Sequence, residues 1–315
     1  MAGGPSGRGE TARQLAAALD DALELLDRHG SAPGTLSASA HSPESLLAQC
    51  VALWESASAS RSEPVRALHQ FACTGGTLVG RCISSMPNVQ LLSEVDPLSR
   101  MQVIEGEMRF APTDFVQLLY QSSRGVDEQT IVDLFHAGLE LILTRCRAVG
   151  QRLVIRDHAH SKYCTGSGVA ERPSVHELIS SRFDTLAAVV VRHPLDSYLS
   201  LRNNQWMTFA PATVEEYALR YRAFLGDHHE LPRFRYEDIV AKPEESVREL
   251  CDHLQVPFAD GFADRFEQFR LTGDSGRSGG WIAPRPRRAL DEDMERQLRD
   301  APHYRSLLGE LGYQE

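Results

Sequence analysis

The sequence predicts an α/β fold in which a mainly parallel sheet is flanked by helices. From about residue 65 onward, short apolar runs alternate with amphipathic stretches of helical period. This alternation is typical of parallel strands joined by crossover helices. The predicted strands are residues 67–72, 89–92, 153–155, 186–191 and 233–236. Between the second and third strands, one helical face is marked by the apolar residues Ile131, Phe135, Leu139 and Ile142.

The chain divides into three predicted regions. Residues 1–63 are expected to form a helical N-terminal extension, in which two amphipathic helices are joined by flexible linkers rich in Ser, Ala, Gly and Pro. Residues 64–288 contain the predicted strands and form the main domain. Residues 289–315 are expected to form a C-terminal helical segment. No chemistry is indicated in the extension, so the functional motifs are sought in the main domain.

Composition excludes several classes of protein. The chain has 315 residues, of which 42% are hydrophobic and 24% charged, and this is the profile of a folded globular protein. Its net charge of −10 argues against a nucleic-acid partner, which would need a broadly basic surface. No apolar run reaches the roughly 18 residues that span a bilayer, and no secretory signal pattern is visible. Because the six cysteines show no paired CxxC spacing, we expect reduced thiols, no metal site and a cytoplasmic location.

A glycine-rich turn follows the first predicted strand. The sequence Cys73-Thr74-Gly75-Gly76-Thr77-Leu78 lies directly before a predicted helix. Two glycines let backbone amides converge, and the helix N-terminus adds partial positive charge, so an anion can bind there. The turn lacks the lysine of a Walker A loop. A tight strand-to-helix turn without a ligand is the alternative interpretation.

A second polar turn follows the fourth predicted strand. Arg192 stands at the strand end, where its planar guanidinium can hold a phosphate. Pro194 favours a helix start, and Asp196 suits the helix dipole or orients the arginine. Ser200 lies one turn beyond Asp196 and can add a hydroxyl to the same anion. The alternative interpretation is a surface Arg–Asp pair at an ordinary helix start.

Four elements, in matching order, resemble the sulfotransferases that use 3′-phosphoadenosine 5′-phosphosulfate (PAPS). Residues 73–78 resemble the family's 5′-phosphosulfate loop, and the Arg-x-Pro-x-Asp-x-x-x-Ser pattern of residues 192–200 resembles its 3′-phosphate site. Residues 235–238, Arg-Tyr-Glu-Asp, followed by a proline, are similar to the family's R-Y-E-D-L…P stretch. Residues 276–281 are similar to its late glycine-rich, basic loop. The resemblance spans about residues 65–288.

The resemblance implies a P-loop-like sulfotransferase fold for residues 64–288. It implies in-line transfer of a sulfuryl group from PAPS to a hydroxyl or amine, with release of adenosine 3′,5′-bisphosphate (PAP). No metal is required by that reaction. The acceptor is expected to be a small molecule, a carbohydrate or a peptide, and neither its identity nor the oligomeric state is predicted.

The resemblance also implies site residues. The 5′-phosphosulfate is expected to contact Thr74, Gly75, Gly76, Thr77 and Leu78. The 3′-phosphate is expected to contact Arg192 and Ser200, helped by Arg277 and Ser278, and the adenine is expected beside Tyr236. Cys73 departs from the family, which has Arg or Lys at this position. We expect Arg156 to supply the missing positive charge, with Arg81 and Lys162 as further candidates.

Two residues are candidates for the base that removes the acceptor's proton. Arg156-Asp157-His158 resembles the K-T-H tripeptide of cytosolic members, in which the histidine is the base. The stretch from Pro87 to Glu94 resembles the strand that carries a glutamate base in tyrosylprotein and some carbohydrate sulfotransferases. Both alternatives stay open, with His160 as a third candidate. A non-catalytic histidine cap and a loop carboxylate are the competing interpretations.

Two other functions are compatible with parts of the pattern. A P-loop nucleotide kinase or NTPase would require a lysine in the first loop and metal-binding carboxylates, and that lysine is absent. A catalytically silent nucleotide-binding relative is left open by Cys73.

The remaining polar and aromatic residues are assigned no chemistry. His69 and His193 are expected to be packed or solvated, and His228 and His229 to lie in a polar loop. Trp206 is expected to be a core aromatic, and a place in the lining of an acceptor pocket is the alternative. A solvated basic face is expected for Arg285, Arg287 and Arg288, and a face toward an anionic acceptor is the alternative.

Overall fold

The computed structural model describes residues 63–101, 103, 108–272 and 281–314. The predicted N-terminal extension therefore lies outside the described residues, apart from its last residue. Arg277 and Ser278, in the predicted glycine-rich loop, also lie outside them. Within the described ranges, every helix is too short or too polar to cross a membrane.

A parallel sheet forms the centre of the described structure. The strands are β1 (Val65–Gln70), β2 (Val89–Val95), β3 (Arg152–Asp157), β4 (Thr165–Gly166), β5 (Thr185–Val191), β6 (Thr208–Phe209) and β7 (Arg233–Arg235). Five of them form one sheet in the order β2-β3-β1-β5-β7, with every pair parallel, while β4 and β6 form a small parallel pair. Each predicted strand overlaps an observed one, so the predicted α/β class is confirmed.

Helices cover both faces of this sheet. Their bounds are α1 (Gly76–Ser84), α2 (Phe115–Tyr120), α3 (Glu128–Ala148), α4 (His160–Tyr163), α5 (Val175–Ser180), α6 (Pro194–Asn203), α7 (Val214–Asp227), α8 (Tyr236–Ala241), α9 (Pro243–Leu254), α10 (Glu292–Arg299) and α11 (Pro302–Leu311). Two single 3₁₀ turns, Phe262–Asp264 and Phe266–Gln268, follow α9. The predicted apolar stripe between β2 and β3 lies on α3, whose residues Ile131 and Leu139 are buried.

Alternate residues of β5 enter different parts of the core. Ala188 and Val190 pack with α1 and α9, whereas Val189 and Val191 pack with α6, α7 and α11. This alternation follows from the two-residue period of a strand covered on both faces. The C-terminal helices α10 and α11 contribute side chains to the same cluster as Phe71, which lies immediately after β1. The C-terminal segment therefore supports the part of the core that lies beneath the ends of the central strands.

A buried arginine on α7 holds the loop that contains β4. Arg220 is fully buried, and its guanidinium donates to the carbonyl oxygens of Tyr163, Thr165, Gly166 and Gly168 at 2.9–3.2 Å. Its Nε donates to Glu216 Oε1 at 2.7 Å, which balances the charge. Removing one member of a buried charged network leaves the others without partners.

We expect Arg220→Met to lower the free energy of unfolding by about 3–5 kcal/mol, because four carbonyls and one carboxylate lose their donor. The matched control is Arg222→Met on the same helix, where an exposed ion pair with Glu310 at 3.5 Å is lost. That change is expected to cost less than about 1 kcal/mol. Urea unfolding of both variants measures the difference, and equal losses would contradict this role of Arg220.

Candidate active site

The carboxyl ends of the central strands open onto one cavity of about 430 Å³. Strands β3, β1 and β5 are neighbours in the sheet, so their ends lie side by side, as expected for a ligand site in a parallel sheet. Ten of the predicted site residues line this cavity, namely Gly75, Gly76, Thr77, Leu78, Glu94, Arg156, His158, Arg192, Ser200 and Tyr236. The structure therefore brings together residues from five separate parts of the sequence.

The turn between β1 and α1 requires glycine at two successive positions. Gly75 has a φ of +100°, and a Cβ built on it would lie 2.2 Å from Cδ2 of Tyr236. A Cβ on Gly76 would lie 1.8 Å from Oε1 of Gln70. The missing side chains let the first turn of α1 reach the cavity, where backbone amides and the helix dipole favour an anion.

The structure corrects the predicted role of Thr74. Its side chain is fully buried, and its hydroxyl donates to the carbonyl oxygen of Phe71 at 2.9 Å. Its backbone amide donates to the same oxygen at 3.2 Å. Both donors therefore close the turn, and Thr74 shapes the loop instead of lining the cavity.

Arg192 joins the end of β5 to the end of β1. Its Nη1 donates to the carbonyl oxygen of Cys73 at 3.2 Å, and its guanidinium carbon lies 4.6 Å from the centre of the Tyr236 ring. The same ring packs against Gly75. Ser200, which is buried on α6, lines the cavity beside them. The two predicted anion-binding turns therefore converge on one wall.

The Arg-Tyr-Glu-Asp stretch fixes this wall from behind. Glu237 Oε1 accepts from the backbone amide of His193 at 2.9 Å, directly after Arg192. Its other oxygen accepts from the hydroxyl of Tyr313 at 2.6 Å, near the end of the described chain. The Tyr236 ring thus faces the cavity, while the neighbouring Glu237 holds the turn after β5.

The three arginines of the basic stretch near residue 287 are exposed, as the sequence predicts, but each has different contacts. Arg287 pairs with Asp196 at 3.1 Å, so this carboxylate helps to attach the basic stretch to α6 and does not orient Arg192. Arg288 donates to the carbonyl oxygen of Leu199 at 3.0 Å. Arg285 lines the cavity. Charge pattern alone could not distinguish these three environments.

Arg156 is buried at the end of β3 and lines the cavity. Its Nε donates to Ser93 Oγ at 2.9 Å, and its Nη2 donates to a Glu94 oxygen and to the Thr272 carbonyl. Burial lowers the pKa of Arg156, and the Glu94 carboxylate opposes this shift. The guanidinium is therefore fixed beside α1, where the absent side chain of Gly80 leaves room for its stem.

The two other cations predicted to replace the missing basic residue occupy different places. Arg81, on α1, lines the cavity. Lys162 lies outside the described cavity lining, and its ammonium contacts Asp227 at 2.6 Å. The prediction is therefore wrong for Lys162, because a strong local ion pair holds it against α7.

Glu94 and His158 lie in contact across the ends of β2 and β3. Glu94 has a φ of +59°, at the point where the register between the strands shifts. Such a bulge re-aims a side chain, and a strained non-glycine residue is often found at a functional site. Its Oε2 lies 3.4 Å from Nε2 of His158, while its Oε1 pairs with Arg156. The two candidate bases are therefore one connected group.

His160 is less suited to proton transfer near neutral pH. Burial, with a smaller effect of neighbouring His158, lowers the pKa of His160 to about 4. Its Nε2 lies 3.1 Å from Thr208 Oγ1 and its ring stacks with that of His158, 5.9 Å between centres. The observed environment suits a neutral packed imidazole.

The described lining carries an excess of positive charge. Four arginines, Arg81, Arg156, Arg192 and Arg285, face three acidic residues, Glu94, Asp157 and Glu267. The whole chain has a net charge of −10, so this local excess is opposite to the overall balance. A concave site with such a charge favours an anionic ligand.

Sequence reasoning missed part of this lining or favoured another position for it. Trp206 is 37% exposed and borders the cavity, so the favoured core position is wrong and the alternative pocket position agrees with the structure. Trp281 and Gln70 also contribute. The positions of Trp206 and Trp281 depend on how distant loops return over the strand ends, for which the sequence carries no periodic signal, whereas Gln70 is the last residue of β1.

We expect Gly75→Ala to lower the free energy of unfolding by about 1–3 kcal/mol, because the new methyl group overlaps the Tyr236 ring at a left-handed position. The control is Gly138→Ala in α3, where the added carbon meets nothing within 4 Å. That variant is expected to be as stable as the parent or more stable by up to about 1 kcal/mol. Thermal or urea unfolding measures the stability of both variants. Equal stability of Gly75→Ala and Gly138→Ala would contradict the close packing at Gly75.

Comparison with known proteins adds an independent observation. Residues 185–260 match the model of the sulfotransferase family. This segment contains Arg192, Ser200 and the Arg-Tyr-Glu-Asp stretch. No curated protein matches the sequence.

Three solved structures resemble the fold at low identity. The sulfotransferase domain of the Synechococcus PCC 7002 olefin synthase is 15% identical, with a TM-score of 0.47, over 81% of this chain and 98% of that one. A sulfotransferase from Alicyclobacillus acidocaldarius is 14% identical, with a TM-score of 0.41, over 81% and 98%. Mouse sulfotransferase SULT7A1, complexed with PAP, is 13% identical, with a TM-score of 0.38, over 79% and 89%. Likenesses of this size carry no argument about function. The family match over residues 185–260 confirms the predicted resemblance for that part of the chain.

Proposed function

We propose that the protein transfers a sulfuryl group from PAPS to a hydroxyl group of an acceptor, an amine being the alternative nucleophile. The observation that carries the proposal is the convergence of two anion-binding turns. The glycine turn after β1 and Arg192 after β5 border one cavity and touch through the Cys73 carbonyl. A ligand with a phosphate at each end of an adenosine would match this arrangement.

The residues present fit such a co-substrate. The first-turn amides of α1 are assigned to the 5′ end, because Gly75 and Gly76 leave the space that a side chain would fill. Arg192 and Ser200 are assigned to the 3′-phosphate, and the Tyr236 ring to the adenine. PAPS supplies the sulfuryl group, and PAP is the product.

The protein's contribution to in-line transfer is positioning and charge stabilisation. A bond forms between the acceptor oxygen and sulfur, while the bond between sulfur and the 5′-phosphate oxygen breaks. Electron density therefore builds on the leaving phosphate. Because Cys73 provides no positive charge, Arg156 is assigned to this end of the cavity. Its bonds to Ser93 and Glu94 hold the guanidinium in place before the ligand binds.

The acceptor's proton is assigned to the Glu94–His158 pair. Oε1 of Glu94 is already paired with Arg156, and its other oxygen faces the imidazole at 3.4 Å. We therefore assign proton acceptance to His158 and orientation of its ring to Glu94. Such contacts are often long without substrate and shorten when it binds. General-base catalysis of this kind typically contributes ~10²–10⁴-fold to the rate.

The first prediction from this proposal concerns the nucleotide. PAP at 100 times its Kd is expected to stabilise the protein by about 2.7 kcal/mol in thermal unfolding, whereas ATP with magnesium is not. Arg192→Ala is expected to weaken PAP binding by about 10–100-fold, because one charged contact is lost. Arg182→Ala is the control, since that exposed arginine pairs with Glu140, away from the cavity lining.

Stabilisation by ATP with magnesium but not by PAP would favour the kinase or NTPase alternative instead. If Arg192→Ala binds PAP as tightly as the parent protein does, the assignment of Arg192 to the 3′-phosphate is wrong.

The second prediction concerns the base. The reaction is followed with labelled PAPS and the best acceptor from a panel of sugar, lipid, peptide and small-molecule hydroxyls. Glu94→Gln and His158→Asn are each expected to lower kcat at least about 100-fold while PAP affinity changes less than about threefold. The double variant is expected to be about as slow as the slower single variant, because the two residues act as a unit. His303→Asn, an exposed histidine on α11, is the control.

If the rate losses of the two single variants multiply in the double variant, Glu94 and His158 have independent roles. If both single variants keep the full rate, the pair has no part in the mechanism. PAP binding without transfer to any acceptor of the panel would favour a silent nucleotide-binding relative.

A further inference from the structure

A second polar cluster lies next to the cavity, which one of its members, Asp157, also lines. It consists of His69 on β1, Asp157 on β3, His176 on α5 and His228 directly after α7. His69 is fully buried, and Asp157 and His228 are each 2% exposed. The ring centres lie 4.6 Å apart for His69 and His228, 5.2 Å for His69 and His176, and 5.9 Å for His176 and His228. His228 is therefore part of the interior, which corrects its predicted place in a polar loop.

Hydrogen bonds fix which nitrogen of two rings carries a lone pair. His228 Nδ1 lies 2.7 Å from the carbonyl oxygen of Phe224, which can only accept, so this nitrogen carries the proton. His69 Nδ1 lies 2.8 Å from Oδ2 of Asp157, and this carboxylate accepts from Nδ1 when it is ionised, as a metal ligand must be. In both rings, Nε2 is then the nitrogen with the free lone pair.

These lone pairs have no donor among the described residues. His69 Nε2, His228 Nε2, His176 Nδ1 and Asp157 Oδ1 are all buried and lack a hydrogen-bond partner there. Buried polar atoms without partners are rare and costly in native proteins. Because the two Nε2 atoms and the carboxylate oxygen are all acceptors, they cannot satisfy one another. A cation between them would satisfy them together.

We propose that this cluster binds a divalent transition metal of the zinc class, a site that is separate from the proposed sulfuryl transfer. One ligand atom each from His69, Asp157 and His228 lies within 4.8 Å of the others. Two imidazoles bound to one Zn²⁺ at the usual distance place their ring centres about 5 Å apart, close to the observed separations. Ligating histidines also typically donate their other N–H to a carboxylate or a backbone carbonyl, as His69 and His228 do here.

The assigned ligands are the free nitrogens of His69 and His228 and the unpartnered carboxylate oxygen of Asp157, whose other oxygen orients His69. The bound ion joins β1, β3 and the end of α7 next to the cavity, with His176 packed beside it. Gln70 connects this region to the cavity floor, because its Nε2 donates to the backbone carbonyl of Asp157 at 3.3 Å. The metal is therefore structural, and no step of sulfuryl transfer passes through it.

The test uses the full-length, tag-free chain, stripped with a chelator and titrated with Zn²⁺ and with Co²⁺. Wild type is expected to bind one equivalent of either metal, and bound Co²⁺ is expected to show the intense visible absorption of four-coordinate ligation. His228→Gln is expected to lose this spectrum, and Asp157→Asn to weaken binding about 10–100-fold. His229→Gln, a change in the adjacent exposed histidine, is expected to bind as wild type does.

Absence of saturable uptake in wild type would overturn the proposal and leave a buried water or a shared proton to satisfy these atoms. Equal uptake in wild type and His228→Gln, or the weak spectrum of six-coordinate Co²⁺, would also overturn it. If His228→Gln does not fold, the wild-type spectrum and stoichiometry decide alone. PAP binding is measured on the same samples, so a failed metal site and a failed nucleotide site are distinguishable.

Discussion

The contact between Arg192 and the carbonyl oxygen of Cys73 is the interaction on which the rest of the site depends. It exists because β1 and β5 are parallel neighbours in register up to Gln70 and Val190, so their carboxyl ends emerge together. Tyr236 then stacks on the arginine and packs against Gly75, which closes the wall. If the strands were arranged in a different order, Arg192 and the glycine turn would be separated even if both sequence motifs were kept.

Strain and charge are both concentrated at this edge of the sheet. Cys73 and Glu94 adopt left-handed backbone conformations at +63° and +59°, beside Gly75 at +100°. Residues of this kind persist only where the surrounding structure holds them. Here the buried core beneath the strand ends supplies that support, including the aromatic residues of α7 around Phe71. Four arginines in one cavity of an acidic chain also repel one another unless an anion or Glu94 balances them.

The strands, the glycine turn and the position of Arg192 could be predicted because they depend on local periodicity and on one general rule about parallel sheets. The inward orientation of Thr74 could not be predicted, because its hydroxyl can bond either to a ligand in the cavity or to the Phe71 carbonyl within its own turn, and the structure shows the second. Arg156 could be ranked ahead of Lys162 by its place at a strand end, but nothing in the sequence indicates that Lys162 pairs with Asp227, 65 residues away. The pairing of His69 with Asp157, 88 residues apart, has no sequence signature, since hydrophobic patterns show burial but not which buried polar groups meet.

The central claim is that one ligand extends between the two strand ends, and a crystal structure of the complex with PAP tests it most directly. The account predicts the 5′-phosphate at the first-turn amides of α1, the 3′-phosphate within hydrogen-bond distance of Arg192, and the adenine beside Tyr236. Density for PAP elsewhere on the protein, or with either phosphate remote from its assigned turn, would contradict it.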